Sequence, residues 1–232
     1  MIKFPRFFQV GGSIRDEFLG VKSKDIDFAV EAESFDAMRN EILDCGGKIF
    51  LETPQFLTIR ANMPYLGNAD YVLCRKDGAY SDGRRPDAVV VGDIFDDLAR
   101  RDFTMNAIAR NTRTGAILDP HCGVEDIERG LIRCVGSANH RFHEDKLRMF
   151  RAVRFAVTKN FRLDHDINHC IGTFTPMQFA GVSTERIREE MLKMFQADTL
   201  RSIRLLTMDF PVLWEVALQR GLWLKPTIEQ KP

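Results

Sequence analysis

VGGSIRDEFLGVKSKDIDFAV, residues 10–30, decides the fold of this chain, because a glycine turn is followed there by a strand pattern that carries two aspartates. Gly11 and Gly12 permit a tight turn close to a ligand, and residues 13–19 have the pattern of a short helix. Backbone N–H groups at such a turn and helix start favour phosphate oxygens. The first half of the stretch therefore predicts a phosphate-binding turn.

The second half of the stretch predicts a strand with a metal site. Apolar residues at positions 26, 28 and 30 alternate with Asp25 and Asp27, which predicts a strand with one buried face. The two carboxylates then point the same way, about 6.7 Å apart along the backbone, and can converge on hard cations. Two metal ions roughly 4 Å apart can activate a hydroxyl and stabilise leaving pyrophosphate. Either half alone is more often an ordinary turn or strand, whereas together they indicate nucleotidyl transfer.

Composition limits the class of protein. A length of 232 residues allows one to two domains, and 33 basic against 33 acidic side chains require any RNA affinity to come from local patches. Five cysteines without CxxC spacing argue against a disulfide framework or zinc ribbon and favour a reducing compartment. The sequence has no run of 18 apolar residues and no signal-peptide core at its start. We therefore expect a soluble, cytoplasmic protein that does not bind membranes.

The first part of the chain alternates between strand and helix patterns. We predict helices over residues 13–19 and 34–45, with strands over residues 7–10, 25–30, 48–51, 56–61 and 69–73. Ser34 is the expected N-cap of the second helix. Residues 75–92 contain glycine, proline and many charges, which predicts a mobile loop instead of a regular element. The pattern predicts an α+β head, in which helices back a small mixed sheet.

Helical patterns dominate from about residue 139 onward. Residues 144–157 and 183–195 both repeat apolar side chains at helical spacing. We therefore divide the chain into a catalytic head over residues 1–138, an all-helical neck over 139–198 and a short helical body over 199–232.

Two further groups of residues can complete a site. Asp70 lies on a predicted strand and can supply a third carboxylate, as base or as metal ligand, although alone it would be an ordinary strand-edge residue. Asp102 and Asn106 share a face if they are helical, and they can hold ribose hydroxyls while Arg100 and Arg101 clamp a triphosphate. A solvated helix start explains the same residues.

Asp145 and Arg148 are the specificity candidates. At i and i+3 on a predicted helix they place an acceptor beside a donor. Cytosine and adenine each present an amino donor next to a bare ring nitrogen, whereas uracil and guanine present the opposite polarity. The pair can therefore accept C and A and leave unpaired groups against U and G. An intrahelical salt bridge is the alternative interpretation.

A basic stripe follows this pair. It can contact triphosphate or RNA backbone, or it can be a solvated helix face, and it consists of Arg151, Arg154, Lys159 and Arg162. The His-Asp dipeptide at residues 165–166 has no visible partner cluster, so we interpret it as the charged start of a helix and not as a metal site.

Five motifs in order resemble the class II tRNA nucleotidyltransferases (CCA-adding enzymes) and bacterial poly(A) polymerases of the polymerase-β superfamily. They are GGSIRD (11–16) with DID (25–27), RRDFTMNA (100–107), DPHCG (119–123) with the following Glu125-Asp126, EDKLRMFRAVRF (144–155) and VSTERIREE (182–190). The resemblance runs from residue 11 to about residue 191. It implies a polymerase-β-like nucleotidyltransferase head, an all-helical neck and a truncated body, since the family usually continues into body and tail domains and only about forty residues follow Glu190.

The resemblance also implies roles for individual residues. Asp25 and Asp27 would bind two Mg²⁺ ions, and Asp70 would stand at the third acidic position. The loop over residues 75–86 is similar to the family's flexible loop, which is thought to help the switch from C to A addition. The implied nucleotide-binding residues, with Asp145 and Arg148 as the protein template for C and A, are Gly11, Gly12, Ser13, Arg15, Asp16, Arg101, Asp102, Asn106, Asp145, Arg148, Arg151 and Arg154.

The leading hypothesis is a magnesium-dependent, template-independent enzyme that adds C, C and A to tRNA 3′ ends from CTP and ATP. A poly(A), CC-only or A-only polymerase shares the chemistry. The intact loop favours full CCA addition over CC-only addition, while the short body leaves poly(A) synthesis open. A silent RNA-binding module is the rival from another class, and the intact aspartates argue against it. The sequence predicts no particular oligomeric state.

Overall fold

The computed structural model describes residues 6–23, 26–80 and 86–222. Its strands are β1 (Arg6–Val10), β2 (Asp27–Glu31), β3 (Lys48–Thr53), β4 (Thr58–Met63), β5 (Gly67–Leu73), β6 (Arg75–Asp77), β7 (Val89–Val91), β8 (Ala109–Asn111), β9 (Ile117–Leu118), β10 (Leu131–Ile132) and β11 (Arg162–Leu163). Its α-helices are α1 (Gly12–Phe18), α2 (Phe35–Asp44), α3 (Ile94–Ala99), α4 (Gly123–Glu128), α5 (Ala138–Glu144), α6 (Leu147–Thr158), α7 (His165–Gly172), α8 (Thr184–Ala197), α9 (Thr199–Arg204) and α10 (Pro211–Gln219). Short 3₁₀ turns lie at Pro54–Phe56, Thr104–Asn106 and Pro176–Phe179, and a π-helical turn at Leu205–Asp209.

A seven-stranded mixed sheet carries the aspartate strand near its centre. The strand order is β3-β4-β5-β2-β1-β8-β9, in which β2 and β5 are parallel and the other neighbours antiparallel. Asp27 lies between Val10 of β1 and Asp70 of β5, and Asp70 lies beside Arg60 of β4. Val10 leads directly into the glycine turn at Gly11. The sheet therefore brings the glycine turn and the aspartates to the same end of adjacent strands.

Helices cover both faces of the central strand. Phe28 and Val30 pack in one core cluster with Met38 of α2. Ala29 packs in a second cluster on the opposite face, with Leu98 of α3. The predicted strand with one buried face is therefore wrong: Phe28, Ala29 and Val30 are all buried, because helices cover both faces of the sheet. The predicted α+β head, a mixed sheet backed by helices, is confirmed.

The helical part shares a core with the glycine turn. Buried residues of α6 such as Phe150 belong to a cluster that also contains Ile14 of α1 and Phe103. This common core holds α6 against the turn and the sheet. None of the helices in the described part of the chain is long and apolar enough to cross a membrane. The domain limits at residues 138 and 198 stay predictions.

Two predicted helical segments differ from the structure. The predicted helix over residues 144–157 starts too early: α6 begins at Leu147, because Asp145 before it is extended (φ −149°, ψ 107°) and its Oδ1 accepts a hydrogen bond of 3.0 Å from the N–H of Leu147. A short aspartate side chain competes in this way for backbone donors and interrupts a helix. Asp102 and Asn106 do not share a helix either, since residues 104–106 form a single 3₁₀ turn.

The predicted loop over residues 75–92 and the predicted all-helical neck also need correction. Residues 75–92 are not loop throughout, because β6 and β7 pair as an antiparallel ribbon, for which the β-branched run of Val89–Val91 is suited. Residues 81–85 of the predicted flexible loop lie outside the described residues. The neck is not purely helical, since β11 pairs in parallel with β10.

The predicted N-cap of α2 is confirmed. The side chain of Ser34 accepts a hydrogen bond from the N–H of Ala37.

Candidate active site

A cleft of about 740 Å³ lies between the sheet and the helical part. Its volume is in the range of sites that hold a small organic ligand. It is lined by Gly11, Gly12, Arg15, Asp27, Arg100, Arg101, Asp102, Asn106, Asp145, Leu147, Arg148, Arg151, Arg154, Phe155, Arg186 and Lys193. Eight of these side chains are basic and three are acidic, so the cleft suits an anionic ligand.

The carboxylates at the strand ends fit a divalent cation. Asp27 is exposed and lines the cleft, and its register partner Asp70 presents a second carboxylate on the same face of the sheet. Such oxygen donors are the ligands that Mg²⁺ takes. Asp25 lies outside the described residues, and among the residues that are described no group of three or more His, Cys, Asp or Glu side chains is placed to hold a metal ion. Of the two predicted metal ligands, only Asp27 lies in the part of the chain that the structure describes.

Asp70 does not line the basic cleft. It lines a neighbouring space of about 560 Å³, which also reaches Asp27. Both of its carboxylate oxygens accept from Arg60, from Nε and Nη2 at 2.7 Å each. The predicted third carboxylate thus lies beside Asp27 and is fixed by a two-pronged ion pair.

The glycine turn is shaped to receive an arginine. Gly11 has φ +72°, a conformation that favours glycine. A Cβ built on Gly11 would lie 2.9 Å from Nη1 of Arg101. That same Nη1 donates to the carbonyl oxygen of Asn106 at 3.1 Å. Only a residue without a side chain lets the Arg101 guanidinium lie against the turn.

A chain of hydrogen bonds joins the two walls of the cleft. Arg15 Nη1 donates to Asn106 Oδ1 at 2.6 Å, and Asn106 Nδ2 donates to Asp102 Oδ1 at 3.0 Å. Asp102 Oδ2 accepts from Nε and Nη2 of Arg151, at 2.8 and 2.6 Å. Burial would raise the pKa of Asp102, but the charge of Arg151 and the Asn106 hydrogen bond outweigh it and hold the pKa below its usual range. Asp102 is therefore an ionised link between α6 and the turn at residues 104–106.

The paired arginines before Asp102 share one buried acceptor. Asp97 is almost fully buried and accepts from Arg100 and from Arg101, the latter through Nη2 at 2.8 Å. Burial would raise the pKa of Asp97, but the two guanidinium charges outweigh it and lower the pKa. One carboxylate thus orients two cations towards the cleft.

Three guanidinium groups surround the ring of Phe155. The Cζ atoms of Arg15, Arg151 and Arg154 lie 5.1, 5.6 and 3.8 Å from the ring centroid. Arg154 also pairs with the buried carboxylate of Glu190 on α8. An aromatic face attracts cations, so Phe155 helps to gather charge that would otherwise repel.

Asp145 and Arg148 both line the cleft but do not pair with each other. Asp145 Oδ2 accepts from Arg186 Nη2 at 2.7 Å. Arg148 donates through Nη1 to Glu144 and through Nη2 to the carbonyl oxygen of Arg100 at 3.2 Å. Each residue is thus held by its own partner, and the alternative of a simple intrahelical salt bridge between them is wrong.

Two of the predicted nucleotide-binding residues lie behind the cleft. The Ser13 hydroxyl is buried and donates to the carbonyl oxygen of Val10 at 3.3 Å. Asp16 accepts from Arg15 at 2.8 Å and from Lys159 Nζ at 2.8 Å. Burial opposes ionisation of Asp16, but these two cations lower its pKa. Both side chains therefore support the turn and α1, whereas Gly11, Gly12 and Arg15 reach the cleft itself.

Several residues that line the cleft or hold its arginines were not among the predicted site residues. Arg186 and Glu190 lie in the VSTERIREE stretch, whose density of charged residues could have indicated them. Asp97 stands three and four residues before the paired arginines, which is the spacing of helical ion pairs. Phe155 gave no signal, because its spacing matches that of a core residue of α6. His165 and Asp166 are exposed, as expected for a charged helix start.

The sheet order, the glycine turn and the aspartates beside a basic cleft define a polymerase-β-like nucleotidyltransferase fold. The family model of the poly A polymerase head domain matches residues 7–133, more than half of the sequence. The chain belongs to this family.

Individual relatives agree with this assignment. The chain is 41% identical over 188 residues to a CCA-adding enzyme of Geobacillus kaustophilus. The aligned part covers 80% of this chain and 44% of that protein. A crystal structure of the Bacillus stearothermophilus CCA-adding enzyme in complex with CTP superposes with a TM-score of 0.75 at 33% identity, over 87% of this chain and 47% of the other. A crystal structure of a tRNA nucleotidyltransferase complexed with a primer tRNA and an incoming ATP analog superposes with a TM-score of 0.72 at 25% identity. The superposition covers 91% of this chain and 59% of the other. The chain spans about half the length of the curated relatives it matches.

Proposed function

We propose that this chain is an RNA nucleotidyltransferase that adds C, C and A to the 3′ end of tRNA from CTP and ATP. One observation carries the proposal: a single basic cleft presents Asp27, a cluster of arginines and the Asp145–Arg148 pair to the same space. Relatives named as CCA-adding enzymes, one of them complexed with CTP, support the choice of substrates. The reaction joins the RNA 3′ oxygen to the α-phosphorus of the nucleotide and releases pyrophosphate.

Asp25 and Asp27 are the residues that would hold two Mg²⁺ ions. When bound, the ions supply Lewis-acid activation of the hydroxyl and charge stabilisation of the leaving pyrophosphate. Asp70 is proposed as the third carboxylate of the reaction, positioned by Arg60.

The triphosphate is proposed to lie along the arginines of the cleft. Arg15 of α1, Arg101 of the segment after α3 and Arg154 of α6 all line the cleft. Guanidinium groups bind phosphate oxygens in two-pronged fashion, and the acidic partners behind them fix their direction before the ligand arrives. The proposed role of Asp102 is to orient Arg151 and Asn106 around the nucleotide, because its oxygens already accept from both.

Base selection is assigned to Asp145 and Arg148. A carboxylate has about four acceptor positions, and Asp145 uses two of them, for Leu147 and Arg186. It can therefore still accept from the amino group of cytosine or adenine. Arg148 is held by Glu144 and by backbone oxygens and can donate a further N–H to the bare ring nitrogen of the same bases. Uracil and guanine would leave these groups facing the wrong polarity.

The test is stepwise extension of RNA by the purified chain with Mg²⁺. Three tRNA acceptors, ending before CC, after C and after CC, are offered each nucleoside triphosphate singly and in pairs. We expect C on the first two acceptors, A on the third, and a stop at CCA. Long A tails would identify a poly(A) polymerase, and addition of C alone a CC-adding enzyme. No incorporation with any acceptor would refute the enzymatic function.

A further inference from the structure

A second cavity lies on the other side of Asp27 from the basic cleft. It has a volume of about 560 Å³ and is lined by residues of four neighbouring sheet strands and the segment before β2. Asp27 lines both spaces, so they meet at the carboxylate where transfer is proposed to occur. The nucleotide assignment leaves this second cavity without a ligand.

An exposed aromatic ring forms one wall of the second cavity. Phe50 of edge strand β3 is 54% exposed. The β3–β4 register runs from Ile49 opposite Ala61 to Leu51 opposite Arg60, so Phe50 is the extra residue of a β-bulge. Bulges redirect a side chain and occur beside active sites. The bulge places Phe50 in the cavity lining instead of in the sheet core.

Polar and basic groups surround this ring. The ammonium of Lys48 lies 6.0 Å from the Phe50 ring centroid. Arg60 is paired with Asp70, and Asn68 accepts from Asn62 at 2.7 Å while its own amide N–H groups can donate. An aromatic face beside cations and amides is the composition of a surface that stacks single-stranded bases.

We propose that this cavity binds the 3′-terminal nucleotide of the acceptor RNA, with its base stacked on Phe50. An in-line displacement requires the attacking hydroxyl to approach opposite the leaving pyrophosphate. The arginines assign the triphosphate to one side of Asp27, so the acceptor comes from the other side, where Phe50, Arg60 and Asn68 lie. Lys48 is then placed near the RNA backbone. This inference rests on the proposed function and adds the position of its second substrate.

The kinetic test compares Phe50→Ala with Phe50→Trp and with Phe56→Ala. Phe56 is a matched control, because it is 59% exposed on the turn after β3 and is not part of the cavity lining. Loss of one stacked base is expected to raise the KM for a tRNA acceptor about tenfold in Phe50→Ala and to leave the KM for the nucleotide unchanged. Phe50→Trp should restore the acceptor KM. An unchanged acceptor KM in Phe50→Ala, or an equal rise in Phe56→Ala, would overturn the proposal.

A binding test separates this inference from the proposed function. An RNA acceptor with 2-aminopurine as its terminal base is titrated with wild-type protein and with both alanine variants, without nucleotide. Stacking quenches 2-aminopurine, so we expect quenching by the wild type and by Phe56→Ala and its loss with Phe50→Ala. Equal quenching by all three proteins refutes the stacking role even if transfer is active. Failure of all nucleotide addition, with the quenching difference intact, refutes the proposed function alone.

Discussion

The two walls of the basic cleft are held in place by different forces. On the sheet wall, backbone register sets Asp27 between Val10 and Asp70, and a glycine turn follows directly from β1. On the helical wall, Arg151 and Arg154 of α6 are positioned by carboxylates from distant parts of the chain. Asp102 and Arg151 are separated by 49 residues, and Arg154 and Glu190 by 36. The proposed chemistry of transfer thus depends on local backbone structure, whereas the proposed contacts with the nucleotide depend on long-range ion pairs.

This difference predicts how each wall fails. A substitution on the sheet wall removes a reacting group while the hydrogen-bonded strands persist. A substitution on the helical wall leaves a buried charge without its partner, which costs more stability than the pair contributed. Activity and stability should therefore separate in variants of the exposed carboxylates of the sheet wall and fall together in variants of the buried ion pairs of the helical wall.

Asp27→Ala is the largest expected effect and tests the sheet wall. Loss of the exposed carboxylate should lower nucleotide incorporation roughly a thousandfold, because Asp27 is one of the two carboxylates proposed to hold the Mg²⁺ ions that activate the hydroxyl and stabilise pyrophosphate. The urea midpoint should stay near that of the wild type. Single-turnover extension of tRNA and urea unfolding measure the two quantities. The control is Asp44→Ala, an exposed aspartate at the end of α2, and wild-type activity in Asp27→Ala would contradict the assignment.

Asp102→Asn and Asp102→Ala test the helical wall. Asp102→Ala should lower the free energy of unfolding by about 2 kcal/mol, less than a fully buried pair costs because a third of the Arg151 side chain is exposed. Incorporation should fall as well, since Arg151 and Asn106 lose their common acceptor. Urea unfolding and KM for the nucleotide measure both effects. Loss of activity at unchanged stability would show that Asp102 acts on the substrate and not through Arg151.

The contribution of Asp102 to the stability of the fold should depend on pH. The pKa of Asp102 is lowered in the folded protein, so its contribution to stability is present above the unfolded value of about 4 and is lost as the pH falls below it. The difference in unfolding free energy between wild type and Asp102→Asn should therefore be constant from about pH 7 to about pH 5 and shrink on further acidification. A difference that grows at low pH would contradict the depressed pKa.

Arg148→Ala is expected to affect selectivity more than rate. Discrimination against UTP and GTP should fall about tenfold, because one hydrogen bond to the ring nitrogen is lost. Arg148→Lys should recover the charge but not the selectivity, since it lacks the planar fork. Competition between nucleotides on one acceptor measures the ratio. Arg188→Ala is the matched control, as an exposed arginine of α8 outside the cleft lining, and unchanged selectivity in Arg148→Ala would disprove the template role.

The backbone of the sheet wall could be predicted from the sequence; on the helical wall, the lining residues could be predicted but not the partners that hold them. The apolar residues around Asp27 predicted the strand and the exposed carboxylate at its start, although the strand is buried on both faces and not on one. The i, i+3 spacing of Asp145 and Arg148 predicted one helix, yet Asp145 lies before α6, where its side chain accepts from the N–H of Leu147, the first residue of that helix. Their actual partners, Arg186 and Glu144, depend on how α5, α6 and α8 pack. Spacing along a chain cannot specify contacts between elements whose packing is still unknown.

The glycine turn offers the smallest and most local prediction. In Gly11→Ala the new Cβ would lie 2.9 Å from Arg101 Nη1, and φ +72° disfavours any side chain, so the free energy of unfolding should fall by about 1 kcal/mol. Gly12→Ala is the matched comparison, because a Cβ there would meet Arg15 Nη2 at a tolerable 3.4 Å. Urea midpoints should therefore rank Gly11→Ala below Gly12→Ala. Since Arg101 must move in Gly11→Ala, the KM for the nucleotide should rise with the loss of stability; a rise without destabilisation would mean that the turn itself, and not the position of Arg101, contacts the phosphates.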